Sequence, residues 1–115
     1  MSSFRILSVI SQSGFLHCIQ SEYASGITVQ NIADRLGLNR SYFYTIFTER
    51  VGVSPSEYLR NVRLNKAADL MTVYGERPST AANSVGYEDL FHFSKVFKKH
   101  FGVSPREYCR RARGD

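Results

Sequence analysis

The sequence has no tryptophan and only two cysteines, Cys18 and Cys109, which stand far apart in the chain. Neither belongs to a C-x-x-C pair, so the pattern excludes a dithiol redox motif and a cysteine-based zinc finger. Small secreted domains are usually rich in disulfides, so two isolated thiols favour a reducing, cytoplasmic setting. We interpret both cysteines as ordinary buried or half-buried thiols.

Long apolar runs are also missing. The start, "MSSFRILSVISQS", has one arginine and an apolar stretch that serines interrupt, unlike the continuous apolar core of a signal peptide. No segment approaches the ~20 apolar residues that span a bilayer. The sequence therefore predicts neither secretion nor membrane insertion.

Catalytic motifs are absent from the sequence as well. It has no glycine-rich phosphate loop, no nucleophile elbow and no patterned pair of carboxylates. The histidines, His17, His92 and His100, do not have the spacing of zinc ligands. We therefore expect no enzyme activity, no metal and no cofactor.

Positive charge is in excess, with 15 Lys and Arg against 10 Asp and Glu in 115 residues. The chain is balanced up to residue 57, and residues 58–115 carry the whole net charge of +5. Such a basic segment suggests a polyanionic partner. The length suits one compact domain or two very small ones that share a core.

Two nearly identical heptads occur in the sequence, "GVSPSEY" at 52–58 and "GVSPREY" at 102–108. Gly52 suits the left-handed conformation that ends a helix, and the Ser54 side chain suits the cap of the next helix. Glu57, three residues after the cap, completes a capping box. The motif is therefore structural, and its repetition indicates a duplication.

The duplication extends upstream of each heptad. Ala33 stands four residues before Gly37, and Ala82 stands four residues before Gly86. A small residue lets two helices cross closely, and glycine suits the turn between them. Each turn precedes a helical segment with two phenylalanines four residues apart, Phe43 and Phe47 in the first copy and Phe93 and Phe97 in the second. This is the helix-turn-helix pattern, present twice.

Helical spacing without sustained two-residue alternation predicts an all-α fold, with seven helices forming two helix-turn-helix subdomains joined by a long linker helix. The predicted helices are residues 4–23, 29–36, 40–51, 55–74, 79–85, 90–100 and 105–111. The predicted parts are 1–53 for the N-terminal helix and first subdomain, 54–74 for the linker helix and 75–115 for the second subdomain. At ~1.5 Å per residue the linker is about 30 Å long, close to the ~34 Å of one DNA turn.

With these features the chain resembles the DNA-binding domain of the AraC/XylS family of bacterial transcription regulators. The resemblance runs from about Leu16 to Arg111 and rests on "YASGITVQNIADRLG", "GVSPSEYLRNVRLNKAADLM" and "SVGYEDLFHFSKVFKKHFGVSPREY". It implies that a single chain binds an asymmetric site on double-stranded DNA in the bacterial cytoplasm, with RNA polymerase as a further candidate partner. Family members usually carry a separate ligand-sensing or dimerising domain. Nothing in this chain corresponds to that domain, so we expect a monomer with no small-molecule site.

The second copy departs from the family pattern in its first helix. Val29 and Ile32 of the first copy correspond to Pro78 and Ala81 in the second. Replacing isoleucine by alanine at a packed site commonly costs ~2 to 5 kcal/mol. We therefore predict that the second subdomain is the less stable one.

The residues expected to touch DNA lie opposite the phenylalanine face of each second helix. The predicted base-reading residues are Arg40, Ser41, Tyr44 and Thr45 in the first copy and Leu90, Phe91, His92 and Lys95 in the second. The predicted phosphate contacts are Thr48, Arg60, Arg63, Lys98, Lys99, Arg106, Arg110 and Arg111.

Some of these residues have a second interpretation. Leu90 and Phe91 are apolar, so they either contact thymine methyl groups or pack against the protein. Glu88 and Asp89 would repel phosphate, and we expect them to cap a helix instead. These departures keep one alternative function open, a degenerate helix-turn-helix module that pairs with another regulator without binding DNA.

Overall fold

The computed structural model describes residues 23–114, which form one short 3-10 turn, Tyr23–Ser25, and six α-helices. The helices are α1 (Val29–Arg35), α2 (Arg40–Val51), α3 (Pro55–Thr72), α4 (Pro78–Ser84), α5 (Leu90–Phe101) and α6 (Pro105–Ala112). This part of the chain contains no β-strand, which confirms the all-α class. Six of the seven predicted helices correspond to these, and the helix predicted at 4–23 lies outside the described residues apart from its last position.

Six helix boundaries differ from the prediction by one or two residues. Two of these differences have a clear local cause. The long helix ends at Thr72 rather than 74, because Gly75 has a positive φ of 71° and the Glu76 N–H turns back to the Leu70 carbonyl at 3.0 Å. α4 begins at Pro78, one residue earlier than predicted, because proline at the first helical position loses no hydrogen bond.

The chain divides into two compact units, with the boundary between Arg60 and Asn61 inside α3. In the first unit α1 packs on α2, and in the second α5 packs on both α4 and α6. The buried apolar residues of the first unit are Ile27, Val29, Ile32, Ala33, Phe43, Ile46, Phe47 and Leu59. Those of the second are Leu64, Ala67, Ala68, Met71, Ala81, Ala82, Val85, Phe93 and Phe97.

The glycine turn that precedes each second helix has the same geometry in both units. Gly37 has a φ of 69° and Gly86 a φ of 99°, a region that residues with a Cβ rarely adopt. The residue after each glycine donates its N–H to the carbonyl of the alanine five positions earlier, at 2.9 Å in both copies. Ala33 and Ala82 are fully buried, as the sequence predicts for a close helix crossing.

Side-chain caps fix where the helices begin. Thr28 and Asn31 form a reciprocal capping box on α1, and Asn39 accepts two N–H groups of α2. Ser54 accepts the Glu57 N–H at 3.1 Å, and Asp89 accepts the Phe91 N–H at 2.9 Å. The caps formed by Ser54 and Asp89 confirm the expectations from sequence.

The second heptad makes only half of its predicted capping box. Ser104 accepts the Glu107 N–H at 3.2 Å. The Glu107 carboxylate, however, is taken by hydrogen bonds from Arg110 and Arg111 along α6, both with Nε–O distances of 3.0 Å. Two guanidinium groups outcompete one backbone N–H because charge-assisted hydrogen bonds are the stronger ones.

The heptad tyrosines pack on the preceding helix. The Tyr58 ring stands edge-on to Phe47, with 5.8 Å between centroids. Tyr108 contacts Phe97 at 5.4 Å and Phe101 at 4.9 Å. Each heptad therefore ends one helix, starts the next and also packs an aromatic ring against the helix it has just ended.

Candidate nucleic-acid interface

α2 has a buried face and an exposed face. Phe43 and Phe47 are fully buried, with ring centroids 5.8 Å apart. The four predicted base-reading residues of this helix are all exposed, and the Tyr44 side chain remains 39% accessible. Those four residues are Arg40, Ser41, Tyr44 and Thr45.

The threonine hydroxyls of α2 already donate to the helix backbone. Thr45 donates to the Ser41 carbonyl at 3.0 Å, and Thr48, which is half-buried, donates to the Tyr44 carbonyl at 2.7 Å. The Thr45 oxygen retains free lone pairs, so it can accept a hydrogen bond, and its methyl group remains available for apolar contact. Thr45 therefore suits a base edge that offers an amino donor or a methyl group.

α5 has the same two faces with different exposed residues. Phe93 and Phe97 are fully buried, and their ring centroids lie 5.5 Å apart. Leu90 is 43% exposed and Phe91 is 71% exposed. The two apolar side chains of the first turn are thus presented to solvent, so the packing interpretation of Phe91 does not hold in this structure.

Lys95 lies one turn after Phe91 on the exposed face. Its ammonium nitrogen is 5.1 Å from the centroid of the Phe91 ring, within the range of a cation–π interaction. His92 is exposed too, but its ring contacts Tyr87 at 5.8 Å between centroids. Phe91 and Lys95 therefore form one exposed pair, whereas His92 also takes part in packing.

The lysines and arginines among the predicted phosphate contacts fall into three groups. Arg60, Lys98, Lys99 and Arg106 are exposed. Arg110 and Arg111 are exposed but bind Glu107, and their hydrogen bonds, with Arg110's first, lower the pKa of the Glu107 carboxyl to about 2. Arg63 is half-buried, and desolvation lowers the pKa of its guanidinium.

The sequence-based prediction of the exposed face of α2 did not include one aromatic residue. Tyr42 is 43% accessible and follows Ser41 in the first turn of the helix. Its position off the stripe of Phe43 and Phe47 was the available signal, because a residue next to a buried one projects about 100° away on a helix. Tyr42 adds a hydroxyl and a ring edge to the exposed face.

Comparison with known proteins agrees with this architecture. A family model described as a helix-turn-helix domain matches residues 32–111. The raffinose operon transcriptional regulatory protein RafR of Pediococcus pentosaceus is 38% identical over 78 residues, and the Msm operon regulatory protein of Streptococcus mutans is 39% identical over 78 residues. Each alignment covers 68% of this chain and 28% of the relative, so the chain spans little more than a quarter of these curated relatives.

Solved structures share the fold. The C-terminal domain of AraT, a response regulator from Geobacillus stearothermophilus, superposes with a TM-score of 0.83 at 31% identity, over 91% of this chain and 87% of that one. The C-terminal domain of the response regulator yesN from Fusobacterium nucleatum gives a TM-score of 0.79 at 27% identity, over 83% and 93% of the two chains. Within residues 23–114, no helix is both long and apolar enough to cross a membrane. The duplicated helix-turn-helix units, the matched family model and these neighbours together show that the chain belongs to the AraC/XylS-type helix-turn-helix family.

Proposed function

We propose that this chain binds double-stranded DNA in a sequence-specific manner and acts as the DNA-binding part of a bacterial transcription regulator in the cytoplasm. The observation that carries the proposal is the duplicated arrangement of α2 and α5. Each helix follows a buried alanine and a glycine turn, buries a phenylalanine pair and exposes the opposite face. Family membership supports the same activity.

In the first half-site, α2 would read bases through polar groups. Arg40 at the helix start can donate two hydrogen bonds to a guanine edge, and the Tyr44 ring can contact a thymine methyl group. The Thr45 hydroxyl oxygen would accept a hydrogen bond from the amino group of cytosine or adenine, because its own proton is donated to the Ser41 carbonyl. Ser41 supplies a short hydroxyl between them.

In the second half-site, α5 would read bases mainly through Phe91 and Lys95. The exposed ring suits a thymine methyl group, and the ammonium above it suits guanine O6 or N7. Leu90 adds apolar surface at the helix start. The two helices therefore have different side-chain chemistry, so we expect two different half-sites.

Phosphate contacts would supply most of the affinity and its salt dependence. Lys98 and Lys99 are the strongest candidates, because both are exposed in the last turn of α5. Arg110 and Arg111 would have to leave Glu107 to bind phosphate. For each phosphate that is neutralised, the slope of the logarithm of the DNA-binding constant against the logarithm of the salt concentration should become more negative by roughly 0.9.

The spacing of the half-sites would depend on α3. Its 18 residues, at ~1.5 Å each, give a rod of about 27 Å, somewhat less than the ~34 Å of one DNA turn. We propose that this helix links the two subdomains and allows their recognition helices to enter successive major grooves of one duplex. A single chain would then bind an asymmetric site as a monomer.

The experiment is a selection of bound duplexes from a random pool, carried out with the wild-type chain, Thr45→Ala and Lys95→Ala. We expect two short motifs about ten base pairs apart, with one motif relaxed by each substitution. Thr72→Ala is the matched control for Thr45, because its hydroxyl makes the same type of bond to the backbone, at 2.8 Å to Ala68. Lys66→Ala controls for the loss of one exposed positive charge.

The outcomes separate the possible roles of the second unit. A single motif, lost only in Thr45→Ala, would show that the second unit holds the backbone without reading bases. No enrichment by the wild-type chain would contradict DNA binding and revive the alternative of a protein-pairing module.

A further inference from the structure

The second unit contains a cleft of about 480 Å³ between the last turn of α3, the loop after it, the start of α4 and one side of α6. Small-molecule sites are typically ~300 to 1,000 Å³ in volume, so the cleft has a suitable size. Its wall includes the apolar side chains of Met71, Pro78 and Ala112. None of the residues proposed to read bases lines it.

The charged part of the cleft is mainly positive. Arg77, Arg106 and Arg113 all line it. Arg77 and Arg106 are exposed, and neither forms an ion pair with another residue of the described part of the chain. Guanidinium groups bind carboxylate and phosphate through parallel hydrogen bonds. The cleft therefore suits a small anion.

Glu76 adds a second requirement. It also lines the cleft, and its Oε1 atom is buried without a hydrogen-bond partner among residues 23–114. Its backbone is fixed by the 3.0 Å hydrogen bond from its N–H to the Leu70 carbonyl. A buried acceptor without a donor is unfavourable and rare in folded proteins. An O–H or N–H group of an occupant would satisfy it.

We propose that this cleft binds a small organic anion that also carries a hydroxyl or amino group. The anionic group would lie between Arg77 and Arg106, and the donor would bind Glu76 Oε1. Sugar phosphates and hydroxy acids have this chemistry. The proposal reverses the sequence-based expectation that the chain has no small-molecule site, and it does not depend on DNA binding.

The test is an NMR titration of the full ¹⁵N-labelled chain without DNA. Glycerol 3-phosphate and glycerate supply an anion and a hydroxyl, sulfate supplies the anion alone and glycerol supplies the hydroxyl alone. We expect saturable shifts at residues 75–78 and 106–113 with at least one of the first two probes, at a Kd of about 1 mM or below. Sulfate should bind at least about tenfold more weakly, because it cannot donate to Glu76. The stronger of the two organic anions identifies phosphate or carboxylate as the preferred group.

Arg106→Ala and two substitutions of Glu76 assign the shifts to the cleft, with Lys66→Ala as the control. Arg106→Ala should weaken the organic anion about tenfold, whereas Lys66→Ala, which removes a charge from the same unit outside the cleft, should not change its Kd. Glu76→Ala should remove the preference over sulfate while the spectrum stays dispersed, and Glu76→Leu, which has no acceptor, tests the same point with a side chain of similar size. Equal binding of sulfate, shifts spread over both units, or no saturable shift with any probe would each overturn the proposal.

Discussion

The exposed pair on α5 gives the sharpest test of how the second unit would read DNA. Phe91 is 71% accessible, so Phe91→Ala removes little buried surface and should lower the melting temperature by only a few degrees, through loss of the Lys95 contact. In the complex, a thymine methyl group against the ring would contribute about 0.8 kcal/mol, roughly fourfold in Kd. The free protein already makes the contact between the ring and the Lys95 ammonium, so its ~0.5 to 1 kcal/mol contributes to folding stability and cancels from the Kd.

The assay is fluorescence anisotropy with the selected duplex, in which each thymine is replaced in turn by deoxyuridine. Deoxyuridine lacks only the 5-methyl group, so it isolates the proposed contact. Wild type should bind one substituted duplex about fourfold more weakly, and Phe91→Ala should bind the two duplexes equally. A double-mutant cycle with Lys95→Ala in thermal unfolding should give a coupling of ~0.5 to 1 kcal/mol. Tyr74→Ala is the matched control, because Tyr74 is 69% exposed and lies outside α2 and α5.

Two results would refute this reasoning. A drop in the melting temperature of Phe91→Ala larger than the ~8 °C that loss of the Lys95 contact can explain would show that the ring packs against the protein after all. Equal affinity of wild type for every deoxyuridine duplex would show that the ring does not contact a methyl group, even if the chain binds DNA.

Two further predictions concern stability. Because the pKa of the Glu107 carboxyl is depressed to about 2, its stabilisation of α6 should be present above the ordinary glutamate pKa of ~4.3 and be lost as the pH falls towards 2. In thermal melts, the higher melting temperature of wild type relative to Glu107→Gln should disappear in this pH window, and Glu57→Gln is the equivalent change in the first heptad. A difference in melting temperature that stayed constant with pH would contradict the assignment. Helix α4 should exchange its amide protons about tenfold or more faster than α1, because Ala81 stands where α1 has Ile32 and the Arg77 side chain makes no cap. Equal protection of the two helices in hydrogen exchange would show that neighbouring side chains fill the space that an isoleucine would occupy at position 81.

The sequence was most informative where local chemistry decides the structure. The bounds of α2 agree residue for residue with the prediction, because Asn39 and Gly52 are a strong start signal and a strong stop signal. The buried phenylalanine pairs followed from helical spacing. The all-α class needed only the absence of two-residue alternation.

The errors arose where several residues compete for one partner. The capping rule assigns the Glu107 carboxylate to the backbone N–H of Ser104, but Arg110 and Arg111 lie three and four residues further along the same helix face. The rule does not rank these partners. The early end of α3 likewise depends on Gly75 and a backbone hydrogen bond to Leu70, and the apolar spacing of the helix did not indicate it.

The cleft of the second unit could not have been predicted from sequence. Its lining residues come from two separate stretches of the chain, 71–78 and 106–113, neither of which contains a ligand-binding motif. Only the packed unit brings Glu76 and Arg106 to one site. A buried acceptor without a partner is likewise a property of the fold, because the same glutamate would be solvated in an open chain.

The two copies differ in a way that bears on function. The heptads share six of seven letters, and in both units the heptad tyrosine packs on the last buried phenylalanine of the helix before it. The exposed positions have no such likeness, since α2 exposes Ser41, Tyr44 and Thr45 whereas α5 exposes Phe91 and Lys95. Packing of the heptad tyrosine on the buried phenylalanine fixes the orientation of each helix. The two copies share these packing residues because both helices are held in the same way. The exposed face has no packing role, and its residues are free to differ. A repeat that keeps its supports and varies its exposed residues is what binding to two unlike half-sites would require.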